Sequence, residues 1–346
     1  MSPATSPPIA LSPIALTMGE PAGIGGEIAL KAWRSRDTGS GSFFVIDDPS
    51  RLGSLASQLE LDVPIVEIAS PRDATSIFAH ALPVLPLSLP TPVRDGVPDA
   101  QNAPVVIDAI ELAAKLCLSG EASAMVTNPI HKATLTGTGF AHPGHTEFLG
   151  ALAGAKPTMM LAVTGLRVVP VTVHLRLADV PNHLTKAAIV EAGLAIAQAL
   201  RSDFGIEEPR LAVAALNPHA GESGTLGGEE ATIIAPAVAA LQSKGIQVFG
   251  PAPADTLFHE AARARFDAAL CMYHDQALIP LKTLDFAHGV NITLGLPFVR
   301  TSPDHGTALD IAGAGRADPS SLIAALRMAG KIARNRRREG TATQVA

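Results

Sequence analysis

The stretch IALTMGEPAGIGGEI, residues 14–28, decides the fold class. Ile14 to Thr17 read as a short buried strand, a Gly- and Pro-rich turn follows, and a helical pattern opens at Glu27. The same unit recurs along the chain. Strands are expected at FFVID (43–47), SAMVT (123–127), RVVPVTVH (167–174), RLAVAALNPH (210–219) and DAALCMYH (267–274). Helices are expected over 104–118, 186–202, 229–244 and 320–337, several stopped by glycine at 120, 205 or 245. Alternating strands and helices mean an α/β protein with a largely parallel sheet. Leu82 to Pro98 carries five prolines, which predicts a surface connection or edge feature, not a helix or central strand. A domain seam is expected near 125–145.

The 346 residues, 47 % hydrophobic and 17 % charged, suffice for one large or two medium domains with a substantial core. With 26 Lys+Arg against 32 Asp+Glu, the net charge of -6 gives no basic field for nucleic acid or an anionic membrane surface. An anionic substrate must therefore be held by a few placed cations. No apolar run reaches the roughly 20 residues of a membrane span; Thr158 to His174 is interrupted by Arg167 and Pro170. The opening MSPATSPPIALSP has no Lys or Arg and is broken by prolines, so residues 1–13 read as a disordered leader, not a secretory signal. Cys117 and Cys271 lie in apolar stretches and read as buried thiols of a cytoplasmic protein. The basic end KIARNRRREG reads as charge complementing a helix dipole.

The turn after the first strand could aim backbone N–H groups at an anion. Its spacing is not a dinucleotide fingerprint, because Ile28 stands at the third glycine site after Gly23 and Gly25. Asp47 lies where a ribose-binding acid would, which keeps a degenerate Rossmann site as a minor alternative.

His174, His219 and His274 each close an apolar strand, at the sheet edge where open parallel sheets bind ligands. Imidazole suits zinc-type metals, and three of them leave a position open for chemistry. Asp275 is a partner orienting His274, a further ligand or a helix cap. Other polar clusters are His145 and Thr146 in HPGHTEF, Lys282 in ALIPLKTL, and Asn291, Arg300, Asp304, His305 and Thr307 in GVNITLGLPFVRTSPDHGTA. Lys282 and Arg300 are cations suited to a phosphate or carboxylate, although for Lys282 an ordinary salt bridge is an equal reading. A three-histidine site serves a dehydrogenase, a water-activating hydrolase or a non-catalytic metal- or phosphate-binding protein; NAD dependence separates them.

TMGEPAGIGGE, TNPIHKA, GHTEF, NPHAGESG, PADTLF, MYHDQ and GVNITLGLPFVRTSPDHGTALDIAGAG occur in that order. Together they resemble the 4-hydroxythreonine-4-phosphate dehydrogenase family of pyridoxal phosphate biosynthesis. The last block, with the RADP that follows it, also resembles the adenine-side cofactor loop of isocitrate and isopropylmalate dehydrogenases. The resemblance implies two α/β/α domains flanking a cleft: 14–130 plus 290–338, and 131–289 with the metal site and dimer contacts, leaving 339–346 as a tail. It implies a homodimer whose active site is shared, His174, His219 and His274 as ligands of a divalent cation (zinc, cobalt or magnesium), and NAD or NADP as hydride acceptor. Substrate-holding residues would be His145, Thr146, Lys282, Asn291 and Arg300; the cofactor would lie on Asp304, His305, Gly306, Thr307 and Ala308. Three imidazoles favour zinc or cobalt over hard magnesium. The implied reaction oxidises 4-phosphooxy-L-threonine, a phosphorylated hydroxy amino acid, and yields 3-amino-2-oxopropyl phosphate after decarboxylation. Lys282, Asp255 and Asp275 are the candidates for the base. Similar enzymes oxidise 4-phospho-D-threonate or D-erythronate, or aromatic cis-dihydrodiol carboxylates. Gly26 departs from the family's usual proline at a position where either residue suits a turn entering a helix.

Overall fold

The computed structural model describes residues 11–36 and 41–345, with side chains to residue 339. Residues 1–10 of the expected leader lie outside the described residues. Where the chain enters the fold, Ser12 Oγ donates to Gly120 O at 2.9 Å and Ser123 N–H to Pro13 O at 3.1 Å.

Among the described residues, twelve strands form one sheet: β1 (Ile14–Thr17), β2 (Phe43–Asp47), β3 (Ile65–Glu67), β4 (Leu82–Pro86), β5 (Ala124–Thr127), β6 (Thr158–Val163), β7 (Leu166–Pro170), β8 (Arg210–Ala214), β9 (Gln247–Ala252), β10 (Ala268–Cys271), β11 (Val290–Leu294) and β12 (Arg300–Pro303). Their order is β3-β4-β2-β1-β5-β12-β11-β6-β7-β10-β8-β9. From β3 to β12 every pairing is parallel; β11 and β6 then pair antiparallel, and β7, β10, β8 and β9 are parallel again. The outcome is the expected α/β fold with a largely parallel sheet, in two halves that run in opposite directions. The reversal is made partly by the β6–β7 hairpin, whose two-residue turn Thr164–Gly165 uses φ 82° at the glycine.

The proline-rich stretch departs from expectation, because β4 is flanked by β2 and β3. Leu82 N–H donates to Pro64 O on the β3 side and Leu87 N–H to Asp47 O on the β2 side. By alternation, the missing amides of Pro83 and Pro86 fall before the first β2 pair and beyond the last β3 pair. Neither ladder loses a rung.

The helix Lys186–Ser202 matches its expected span and is capped by Thr185 Oγ1, which accepts Ala188 N–H at 3.1 Å. The one expected at 229–244 begins as a π turn, Glu230–Ile234, and continues as Ala235–Ser243. The last helix, Ser320–Val345, runs through the stretch read as a tail.

Burial divides by sheet face. One apolar layer crosses both halves, with Leu16 and Val126 at one end and Val213 and Leu270 at the other. The opposite face carries two separate layers, around Phe44 and Met125 and around Val168 and Ala212. Between those two layers the central strands present polar side chains, and the cleft lies there.

Candidate active site

Arg300 pairs in register with Met125, so its side chain leaves the sheet on the divided face; Asn291 and Ser302 are paired neighbours on the same face. With Met159, Leu161 and Thr127 they line a cleft of about 550 Å³. Arg300 is buried, and it donates from Nη1 to Thr293 Oγ1 at 2.9 Å and from Nη2 to Thr127 Oγ1 at 2.7 Å. Burial lowers its pKa to about 10, against the opposing pull of Glu147, so it stays charged at neutral pH. Among the described residues no carboxylate lies within ion-pair distance of it, and its Nε is buried without a partner. Four other buried atoms of residues lining the cleft are also unpartnered: Asn128 Oδ1, Asn291 Oδ1, His145 Nε2 and His305 Nε2. Burial, with Arg300 and Lys132 nearby, pushes the His145 pKa well below its ordinary value, so the ring is neutral. His145 and Thr146 open the helix His145–Ala153, which follows Gly144 and has no side-chain cap. A charged guanidinium with no carboxylate within ion-pair distance, an uncapped helix start and unmatched polar atoms suit an anionic ligand.

His174 and His274 also line the cleft, with ring centroids 6.0 Å apart. Both sit several residues past their strands, His174 in a loop and His274 as the first residue of the helix His274–Leu284, rather than at the strand ends themselves. His274 Nδ1 bonds Asp275 Oδ1 at 2.7 Å, which leaves Nε2 free. Burial and the neighbouring Lys132 and His274 lower the His174 pKa, which keeps a ring lone pair available. Gln276 ties the loops together: its Oε1 accepts Met272 N–H at 2.7 Å and its Nε2 donates to Ala215 O at 2.6 Å.

His219 is not with them. It is exposed on a left-handed run, His219 to Ser223, every residue of which has positive φ. Such a run costs roughly 1–2 kcal/mol per non-glycine residue and needs outside support. Buried Glu230 supplies it, accepting Leu216 N–H at 2.9 Å, Asn217 N–H at 2.7 Å and Asn217 Nδ2 at 3.0 Å. Asp255 lies exposed in the turn Ala254–Thr256, against the His219 segment. Among the described residues no three His, Cys, Asp or Glu side chains of one chain are grouped to hold a metal. His174 and His274 fit a divalent cation as donors; one chain brings no third.

Of the three candidate bases, Lys282 alone lines the main cleft. Asp275 faces a smaller cavity of about 290 Å³ beside His174 and Leu177. Lys282 Nζ meets Asp304 Oδ2 at 3.1 Å.

The loop that begins at Asp304 and the Gly-rich turn touch: Ile24 N–H donates to Thr307 O at 3.1 Å, and a Cβ at Gly23 would lie 2.9 Å from that oxygen. Gly306 is exposed with open space at its Cα, while His305 Nε2 is buried and unpartnered, features that fit a nucleotide. Asp47 makes no ribose site. Fully buried, its carboxylate takes Arg51 Nε at 3.0 Å and Nη2 at 2.8 Å, and Arg51 Nη1 holds Pro21 O at 3.0 Å.

Two charged residues of the cleft escaped the sequence reading, Lys132 and Glu147. Both approach Gly144: a Cβ there would lie 3.5 Å from Glu147 Oε2 and 3.8 Å from Lys132 Nζ. The signal for Lys132 was its place just past β5, the same argument that singled out the histidines.

Residues 40–329 match the family described as Pyridoxal phosphate biosynthetic protein PdxA. A protein of Methylorubrum populi named 4-hydroxythreonine-4-phosphate dehydrogenase is 56% identical over 330 residues, 93% of this chain and 94% of its own. One of the same name from Caulobacter vibrioides is 55% identical over 94% of this chain and 98% of its own. The crystal structure of 4-hydroxythreonine-4-phosphate dehydrogenase from Klebsiella pneumoniae superposes with a TM-score of 0.83 at 39% identity, covering 93% of this chain and 99% of that one.

Proposed function

Since this chain belongs to the family described as Pyridoxal phosphate biosynthetic protein PdxA, we propose that it is a dehydrogenase that oxidises the secondary alcohol of 4-phosphooxy-L-threonine. The observation that carries the substrate class is Arg300, a buried charge held by two threonine hydroxyls with no carboxylate beside it. A dianionic phosphate supplies the missing counter-charge. His145, Thr146, Asn291 and Lys282 complete the grip, with the unpartnered Asn291 Oδ1 and His145 Nε2 as further contacts.

His174 and His274 would hold a divalent cation, zinc or cobalt by ligand softness, with His219 as third ligand. The loop that follows Asp304, residues 305–308, would hold NAD or NADP. When bound, the cation supplies a Lewis acid for the alcohol oxygen and the nucleotide accepts the hydride. The chain's own groups orient the substrate: Arg300 fixes one end, and Lys282, its ammonium paired with Asp304 Oδ2 at 3.1 Å, presents a second cation at the cleft wall. Oxidation leaves a ketone β to the carboxylate. Carbon dioxide then departs, its bonding electrons moving toward the ketone oxygen, and a proton taken up from solvent at the former α-carbon gives 3-amino-2-oxopropyl phosphate.

The reading includes a cytoplasmic homodimer with a shared site, and the two-domain division at 130/131 and 289/290. Two features support the dimer. His219 needs a second copy to join the other histidines, and the lip near them exposes Leu177 at 66%, Ile279 at 64% and Phe286 at 79%. Reversal of the sheet at β11 and β6 supports the division. No helix among the described residues is long and apolar enough to cross a membrane.

The test is NADH formation by chelator-stripped protein given 4-phosphooxy-L-threonine or 4-phospho-D-erythronate, with and without zinc, cobalt or magnesium. Metal-dependent NADH from the threonine compound is expected. Turnover of the erythronate alone would keep the chemistry and move the substrate. No NADH from either would put the hydrolase reading first.

A further inference from the structure

Lys282 and Asp304 come from opposite halves of the sheet. Lys282 is on the helix His274–Leu284, which follows β10; Asp304 directly follows β12. Among the described residues theirs is the one ion pair joining two side chains that line the main cleft. It is sheltered as well: the lysine side chain is 34% exposed and the aspartate 19%.

The aspartate is itself held. Its N–H donates to Ser321 Oγ at 3.0 Å, and the buried Ser321 hydroxyl donates to Gly289 O at 2.7 Å, so one side chain fastens the end of β12 to the chain entering β11. A Cβ at Gly289 would lie 3.5 Å from Asp304 Oδ2. Lys282 has one other close partner, the ring of Phe286, with Nζ 5.3 Å from its centroid. Phe286 is 79% exposed and lies past the helix end, away from the polar floor. Without the carboxylate, the ammonium's remaining attraction draws it outward.

We infer that Asp304 is a positioning residue for the substrate: its carboxylate holds the Lys282 ammonium at the cleft wall, ready for an anionic oxygen, rather than contacting the nucleotide as the first residue of its loop. This rests on the proposed reading that the cleft takes a phosphorylated hydroxy acid. The arrangement also ties the halves of the cleft across its width, because each partner is fixed to a different half.

Calorimetric titration of the metal-loaded protein, once with 4-phosphooxy-L-threonine and once with NAD, tests this without turnover. Asp304→Asn is expected to weaken the phosphooxythreonine Kd about tenfold and to leave the NAD Kd within about twofold. Lys282→Met is expected to weaken phosphooxythreonine by a similar factor or more, and the double variant no further, since one interaction is lost either way. Asp304→Glu, which keeps the carboxylate, is expected to recover much of the binding and serves if the asparagine variant folds poorly. Independent, multiplicative losses in the double variant, or a loss confined to NAD, would overturn the assignment. A wild-type protein that binds NAD but no phosphooxythreonine would instead overturn the substrate reading, and the inference with it.

Discussion

Arg300 Nη2 donates to Thr127 Oγ1 at 2.7 Å across the β5–β12 pairing, although 173 residues separate them. The guanidinium is thus aimed by hydroxyls, which orient it without neutralising it. A buried charge kept this way is a cost to folding. Arg300→Met is therefore expected to weaken phosphooxythreonine binding by about a hundredfold or more, while the thermal midpoint stays level or rises. Calorimetry beside a thermal melt checks both; a large drop in midpoint would mean that the arginine is structural.

Asp275 fixes the His274 ring through Nδ1. Replacing it with Asn removes the charge that raises ligand basicity, and metal affinity is expected to fall about 10- to 100-fold. Activity titrated against buffered free zinc should shift by that factor with its plateau retained. A lowered plateau at saturating zinc would mark Asp275 as the base instead.

The depressed pKa of His145 has a consequence for stability. Below the ordinary imidazole value of 6.5 the unfolded chain binds a proton that the folded chain does not, so stability falls as pH drops through and below that value. Denaturant unfolding at about pH 7.5 and about pH 5.5 should show the loss, and His145→Asn should flatten it. Equal pH slopes in the two proteins would show that other groups dominate.

Glu230 has the same sign for a different reason. Burial alone would raise its pKa, but hydrogen bonds from Asn217 and Leu216 overcome that and hold it below 4.5. Its contribution is present above that ordinary value and fades as pH falls through the lower folded one. Glu230→Gln is expected to lower the thermal midpoint by a few degrees at neutral pH, with the gap to wild type closing in acid. Because Glu230 supports the left-handed run, zinc-dependent turnover should fall as well. A variant unchanged in both would leave that run without its proposed support.

The sequence was most legible where strands are buried on both faces. β1 and β2 occupy the expected residues, since continuous apolar runs such as FFVID have few alternatives. β11 and β12 were not read as strands. Asn291, Thr293, Arg300 and Ser302 are polar because their face is the floor of the cleft, so the pattern that reveals a strand is erased where the site is built. The charge argument reached Arg300 as a residue without finding the element that carries it. For the histidines, topology was readable and backbone was not. His219 follows β8 as His174 follows β7, but nothing local to NPHAGESG beyond its glycines announces six successive residues with positive φ, His219 to Gly224. The family resemblance supplied what spacing could not, the roles proposed for Asn291 and for the loop after β12.

The pairing of β5 with β12 also governs how the protein is made. Every residue of β5 is buried in the finished sheet, and the strand beside it ends at Pro303. While the chain emerges from the ribosome, the first half can assemble β1, β2, β4 and β5 early, but it then displays an apolar edge until most of the remaining residues have been translated. Chains that terminate before Arg300 keep that edge permanently. Premature termination late in the message thus yields a sticky, aggregation-prone fragment that engages chaperones, not a merely inactive enzyme.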